Sequence, residues 1–307
     1  AEKYKRTSSK GVVVMVSEIQ DEFDSCNIGD EIIYGRYEGY EIEIDGDRFH
    51  VIENTDVACI LNESKYKIPY NFVLVRTTDK MGVSGDGNWM FDISFHRERF
   101  AHTFAEVVSP PEKLVFCKEF FDKEYPTSDF TKAKINSFSL GMGTKENLPE
   151  VKSGDIIHFH YLSIEDATVN GRVVRDGETG DDLYLIRYDN CYAREREGDL
   201  GFINGFIGVR IESIPTAEEA TSGLIKLNLD EKKLKNWGWG RIEYISEPNI
   251  GYSIYDADES KIPVKIGDYV NFKASKKMQI GNDVLLKNEN LKGVTLIQRK
   301  DINFVVN

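Results

Sequence analysis

Asp45-Gly46 stands between two alternating runs, Glu41-Ile42-Glu43-Ile44 and Phe49-His50-Val51-Ile52. Asp-Gly between alternating runs is the strongest short-range signal for a β-hairpin, because both central positions of the tight turn want positive φ. The hairpin sits inside a longer ordered pattern, Asn27 to Leu61. A Gly29-Asp30 turn launches the strand Glu31-Ile32-Ile33-Tyr34, a glycine-containing bend leads into the hairpin, and the polar Asn54-Thr55-Asp56 turns into a last apolar strand, Val57 to Leu61. Two later stretches restate this order. Ser153-Gly154-Asp155 launches Ile156 to Phe159, with Leu183-Tyr184-Leu185-Ile186 as the hairpin return. Ile266-Gly267-Asp268 launches Tyr269-Val270, followed by Thr295-Leu296-Ile297 and Asp301 to Val306. The launches begin at Ile28, Ser153 and Ile266, unequal spacings that fit insertions in loops better than a solenoid of fixed period.

The 307 residues, 40% hydrophobic and 30% charged with eight prolines, describe an ordinary globular chain of two or three domains. A formal charge of −13 argues against a nucleic-acid binder, since phosphate neutralisation needs clustered Lys and Arg; the run Glu231 to Lys235 is too short to reverse this and reads as a solvated loop face. No run reaches the length of a membrane span, and the start lacks an apolar signal segment, which makes a cytoplasmic protein the expectation. Cys26, Cys59, Cys117 and Cys191 are widely spaced, with no Cys-x-x-Cys, and suit four reduced thiols.

The ordered set Gly29-Asp30, Tyr34-Gly35, Ile44-Asp45-Gly46, Phe49-x-Val51-Ile52 and the Asp56-initiated closing strand resembles the C-terminal half of a GroES-like co-chaperonin subunit. The resemblance implies an all-β chain of tandem, GroES-like, small and partly open β-barrels with loop insertions. Three units are expected: residues 1–66, incomplete and lacking a first strand and its long loop; residues 67–203, with an insertion near 112–150; and residues 204–307. Phe72 to Arg76 and Phe206 to Ile211 supply first strands to the second and third units; Phe104 to Val108 and Gly240 to Ile245 supply the outgoing strands. The strand Val57 to Leu61 is expected to pair with Phe72 to Arg76, the covalent version of a contact between ring neighbours. No long amphipathic helix is visible, and Glu112 to Lys134 is the place for a short one.

In the resembling family, the loop after the first strand carries an apolar tripeptide that docks on a chaperonin ring. Gly223, Leu224 and Ile225 sit where it begins, Lys226 interrupts it and Leu227 stands for its last member; the alternative is that Leu224, Ile225, Leu227 and Leu229 form one more strand. In the second unit Met90, Phe91 and Ile93, with Trp89 and Phe95, occupy the corresponding loop as an adaptable contact surface, or fold back as a hairpin. Flexible loops of this kind fold on binding, so each contact stays weak while a ring of them gains avidity.

His158 and His160, with His96 and His102, lack the Cys or carboxylate pattern of a metal site and read as solvent-facing strand histidines. The acidic pairs Glu165-Asp166, Asp181-Asp182 and Glu218-Glu219 read as turn carboxylates. Gly85-Asp86-Gly87 and Gly141-Met142-Gly143 lack the following helix that a nucleotide site needs, and no ordered nucleophile and base are visible. The expected function is therefore non-enzymatic, with no catalytic residues, cofactor, metal, nucleic acid or membrane. It is a homo-oligomeric co-chaperonin-like protein that contacts a chaperonin ring or, as the alternative, an adaptor whose partners are neighbouring subunits of a virion or another large assembly.

Overall fold

The computed structural model describes residues 9–17, 26–62, 65–77, 102–120, 137–142, 149–211, 237–246, 264–273, 278–279, 289–291, 293–298 and 301–306. Strands dominate, as the alternating sequence predicts, and the sheets stay unclosed: the fold is all-β. The chain divides into two compact units, residues 1–80, 105–157 and 161–191, and residues 81–104, 158–160 and 192–307.

In the first compact unit, β1 (Lys10–Val12), β2 (Glu31–Tyr34), β5 (Val57–Asn62) and β6 (Lys65–Lys67) form a sheet in the order β1-β2-β5-β6; β3 (Tyr40–Ile44) and β4 (Asp47–Val51) form a separate two-stranded ribbon. Asp45 and Gly46 turn that ribbon with φ of 52° and 89°, the positive pair the Asp-Gly signal calls for. A second sheet runs β12-β13-β7-β8-β11, built from β7 (Phe72–Arg76), β8 (Phe104–Ser109), β11 (Ile156–Phe159), β12 (Val173–Arg175) and β13 (Asp182–Arg187). The insertion contributes an antiparallel ribbon, β9 (Val115–Phe120) with β10 (Ser137–Met142). The rest of the stretch expected to hold a short helix, residues 121–134, lies outside the described residues; a helix that is described, α1, Ser163–Val169, carries Glu165 and Asp166 in its first turn, so these are helix residues and not turn carboxylates.

Val57 to Leu61 does not pair with Phe72 to Arg76. The first pairs with β2 and β6, the second with β13 and β8. The short strand Lys65-Tyr66-Lys67, hidden in a sequence that reads as a linker, takes the free edge of β5. What the two strands share is a core: Ala58 and Cys59 pack with Phe72, Leu74, Ile33, Ile68, Val174, Leu183 and Leu185, all at least 96% buried. Each Val, Leu, Ile or Phe side chain among them contributes roughly 1.5–3 kcal/mol on leaving water.

In the second compact unit β14 (Cys191–Arg196) and β15 (Asp199–Phe202) form a hairpin. A six-stranded sheet follows in the order β19-β20-β16-β17-β18-β21, from β16 (Phe206–Ile211), β17 (Trp237–Ile245), β18 (Tyr269–Lys273), β19 (Met278–Gln279), β20 (Val294–Gln298) and β21 (Ile302–Val306). Ile207, Val209, Ile242, Val270, Phe272, Ile297 and Ile302 form its core.

Candidate functional site: repeated launch turns and a strand-bearing edge

The Gly-Asp launches have one geometry in three places. At each, the aspartate carboxylate accepts from the backbone N–H three residues back: Asp30 from Asn27, Asp155 from Lys152 and Asp268 from Lys265, all at 2.7 Å. The aspartate's own N–H returns the bond to that residue's carbonyl at 3.1 Å each time. The preceding glycine holds φ of 96°, 88° or 94°, which an L side chain adopts only with strain. Its N–H donates to Val13, Val107 or Ile242 on the outgoing strand at 2.8 Å, and those residues donate back to the aspartate carbonyl at 2.8–2.9 Å. The turn thus fixes the register between outgoing and launched strand without help from the core.

The same register runs outward from these anchors. Lys10, Gly11 and Val12 stand opposite Ile33, Ile32 and Glu31, as Trp239, Gly240 and Arg241 stand opposite Asn271, Val270 and Tyr269. On the far edge of the launched strand, β2 meets β5 with a register slip between Ile33 and Tyr34, and β18 meets β21 with a slip at the equivalent step between Asn271 and Phe272. A bulge repeated at one step of one ladder marks a built feature of the sheet.

The β3–β4 ribbon and the bend before it are largely exposed, with Tyr37 at 75%, Tyr40 at 63% and Ile44 at 44% exposure. The ribbon's base is held by Glu38. The carboxylate accepts from the Gly35 N–H at 2.6 Å and from the Arg172 guanidinium at 3.4 Å; its carbonyl meets the His50 ring Nε2 at 2.6 Å. Gly39, at φ 79°, lies against the Val51 carbonyl, where a Cβ would collide with backbone. Arg172 is almost wholly buried, pairs also with Asp166, and lies 5.1 Å from the Phe72 ring centroid. Asp56 packs at the foot of the ribbon; burial first, then the charges of Glu38 and Glu53, push its carboxyl up to about 6.

The expected docking residues Met90, Phe91, Ile93, Gly223, Leu224, Ile225 and Leu227 lie outside the described residues. The strands that carry their loops are described: β7 and β8 pair with each other, as do β16 and β17, so each loop leaves and re-enters a sheet at adjacent strands. His158 is not solvent-facing. It is fully buried, with Nε2 2.6 Å from the Glu195 carboxylate and its ring between Phe104 and Tyr192. His160 follows the end of β11, and burial holds its pKa below the ordinary histidine value. Among the described residues no group of three or more His, Cys, Asp or Glu is placed to hold a metal. Cys26, Cys59 and Cys191 are free thiols; burial pushes Cys59 up to about 12 and Cys191 well above its usual value, which keeps both unreactive. No helix among the described residues is long and apolar enough to cross a membrane.

Sequence reasoning missed the buried Arg172 and its partners, because Glu38 lies 134 residues away in the chain and Asp166, six residues away, is linked to Arg172 by no helical or strand period. The launch geometry, by contrast, was announced by the Gly-Asp dipeptides.

Residues 1–61 match the family described as Chaperonin 10 Kd subunit. Similar proteins include the co-chaperonin GroES of Sulfurovum sp. (strain NBC37-1), 40% identical over 58 residues, which are 19% of this chain and 63% of that protein. The co-chaperonin GroES of Parabacteroides distasonis is 38% identical over 53 residues, 17% of this chain and 60% of the relative. That of Rhodothermus marinus is 43% identical over 41 residues, 13% and 41%. The chain thus spans less than two thirds of the length of these relatives.

Proposed function

Because residues 1–61 are GroES-like, we propose that the chain is a non-enzymatic co-chaperonin-like protein of three related segments, residues 1–66, 67–203 and 204–307. It assembles into or onto a ring and contacts a chaperonin through the loops that follow β7 and β16. The observation that carries this reading is the launch turn: the geometry inside the family-matched segment recurs, bond for bond, at Lys152–Asp155 and Lys265–Asp268. In the third segment the docking residues are Gly223, Leu224, Ile225 and Leu227; in the second they are Met90, Phe91 and Ile93. The partner hydrolyses nucleotide, and this chain supplies weak, repeated contacts whose avidity comes from the ring. The setting is the cytoplasm, as the relatives' role suggests.

The test is capture of a purified chaperonin by the full chain with and without ATP. The reading requires nucleotide-dependent capture that Ile225→Asp weakens; absence of capture in both states overturns it. A second reading, a structural adaptor of a large assembly, draws support from the β9–β10 ribbon, which enlarges the second segment by an element with no counterpart among the described residues of the first. Such an adaptor remains monomeric when purified and fails the capture test.

A further inference from the structure

The three launch anchors also show what lies on the other edge of each outgoing strand. Val107 and Ile242, the anchor residues of β8 and β17, stand opposite Val75 of β7 and Val209 of β16. In both ladders the register slips at the same step, between Leu74 and Val75 and between Gly208 and Val209. The far edges of β7 and β16 are paired as well, Val75 with Tyr184 of β13 and Val209 with Thr295 of β20. Each first strand is therefore clamped antiparallel between an outgoing strand and a hairpin return.

The first segment has both clamping edges. Val13 occupies the step of Val107 and Ile242, by its bonds to Asp30 and Gly29. His50 occupies the step of Tyr184 and Thr295. It stands four residues before the 3-10 turn Asn54–Asp56, as Tyr184 stands before Tyr188–Asn190, and it pairs with Glu41 of its hairpin as Thr295 pairs with Gln279 and Tyr184 with Val173. Val13 and Ile52 rest on one core cluster, that of Ile32, Tyr34, Val57 and Ile60. Among the described residues, however, β1 pairs with β2 alone and β4 with β3 alone.

We propose that the first segment is a strand acceptor: one added extended, apolar strand inserts antiparallel between β1 and β4, in the register that β7 and β16 adopt in the other two segments. The partner's chemistry is specified by those occupants, Phe72-Val73-Leu74-Val75-Arg76 and Phe206-Ile207-Gly208-Val209-Arg210. It is an aromatic residue, a β-branched residue, an apolar or small residue at the slip, and valine at the anchor. The fifth position differs. Arg76 lies 4.0 Å from Glu106 and Arg210 lies 2.6 Å from Glu243, but the steps of these two glutamates are held by Val12 and Val14 in the first segment. Val12, Val14 and Met15 are 60%, 58% and 73% exposed, an apolar lip that an apolar fifth residue covers and an arginine does not. Backbone pairing supplies the affinity of such strand addition, and the alternate side chains supply the selectivity; an uncovered edge of this kind otherwise invites unspecific pairing. The proposal rests on the relatedness of the three segments and is independent of chaperonin docking, so chaperonin capture and strand binding fail separately.

The probes are fluorescein-labelled peptides with the sequence of residues 70–77, with that sequence carrying Arg76→Val, and with a scrambled order, titrated against the full chain by anisotropy. The expected result is saturable binding of the first two, with the Arg76→Val peptide tighter, and slowed amide exchange on both lips, Val14–Val16 and Phe49–Val51. In the chain, Val14→Pro and Met15→Asp each weaken binding by about tenfold or more, since proline removes a ladder donor and aspartate charges the lip; both positions are exposed, so the fold tolerates them. Equal binding of the scrambled peptide, no saturable binding, or protection confined to one lip or found elsewhere overturns the proposal.

Discussion

The first segment and the third share the launch turn, the outgoing strand and the bulged ladder to the closing strand, yet the third holds its hairpin return in the same sheet and the first does not. In the third, β16 bridges β17 to β20, so six strands are continuous. In the first, no described strand bridges β1 to β4, and the hairpin stands apart as a two-stranded ribbon. The lesson is that register and closure are separate problems. Register is solved within a few residues, by an aspartate bonding three residues back and a glycine at positive φ. Closure needs one strand between two edges, and without it the ribbon is held from below by Glu38, Arg172 and the core beneath Tyr34.

The largest expected difference between the segments lies in their cores. Phe272 is fully buried, and Phe272→Ala should cost about 3–5 kcal/mol in urea unfolding. Tyr34, at the same step of the first segment, packs in a smaller cluster and stacks on His50 at 5.2 Å; Tyr34→Ala should cost less, about 2–3 kcal/mol. Equal losses would erase the distinction. Next is the clasp beneath the ribbon. Arg172→Ala leaves Glu38 and Asp166 without their buried cation and should cost about 2–4 kcal/mol, with Tyr37 and Tyr40 becoming more accessible to oxidative labelling. A neutral result would remove the ribbon's anchor from the account.

Smaller effects test the turns. Asp155 is buried whereas Asp30 is half-exposed, so Asp155→Ala should cost about 2 kcal/mol and Asp30→Ala about 1 kcal/mol, because the carboxylate hydrogen bond lost at Asp155 is the more shielded from water. The last comparison is of pH. The Asp56 carboxyl is raised from 3.8 to about 6, so the fold favours its protonated form, and ionisation subtracts stability progressively as pH rises from about 4 through 6. Asp56→Asn should therefore stabilise the chain at pH 7 and lose that advantage below pH 4, read as the difference in melting temperature between variant and parent. A constant difference across this range would contradict the burial of Asp56.

Much of this was legible in the sequence, for local reasons. Gly29-Asp30, Gly154-Asp155 and Gly267-Asp268 each write their turn in a few residues, and Asp45-Gly46 writes the hairpin. The strands Phe72–Arg76 and Phe206–Ile211 have the bounds that their apolar runs imply. The failures are non-local. Ile157, His158 and Phe159 are all buried, so the strand is covered on both faces and alternation carries no information about His158. Helix α1 has seven residues and no side-chain cap at Leu162, leaving neither a full period nor a start signal. Lys65-Tyr66-Lys67 looks like a linker because its charged ends suit an edge strand, and that edge is what displaced the expected pairing of Val57–Leu61 with Phe72–Arg76.

The most direct test of the comparison is amide hydrogen exchange on the full chain alone, read at Val14–Val16 and at the equivalent steps Glu243–Ile245. The account predicts exchange slower by about a hundredfold or more at Glu243–Ile245, where β16 covers the strand. Equal protection of the two stretches would show that the edge of the first segment is already covered, and would contradict it.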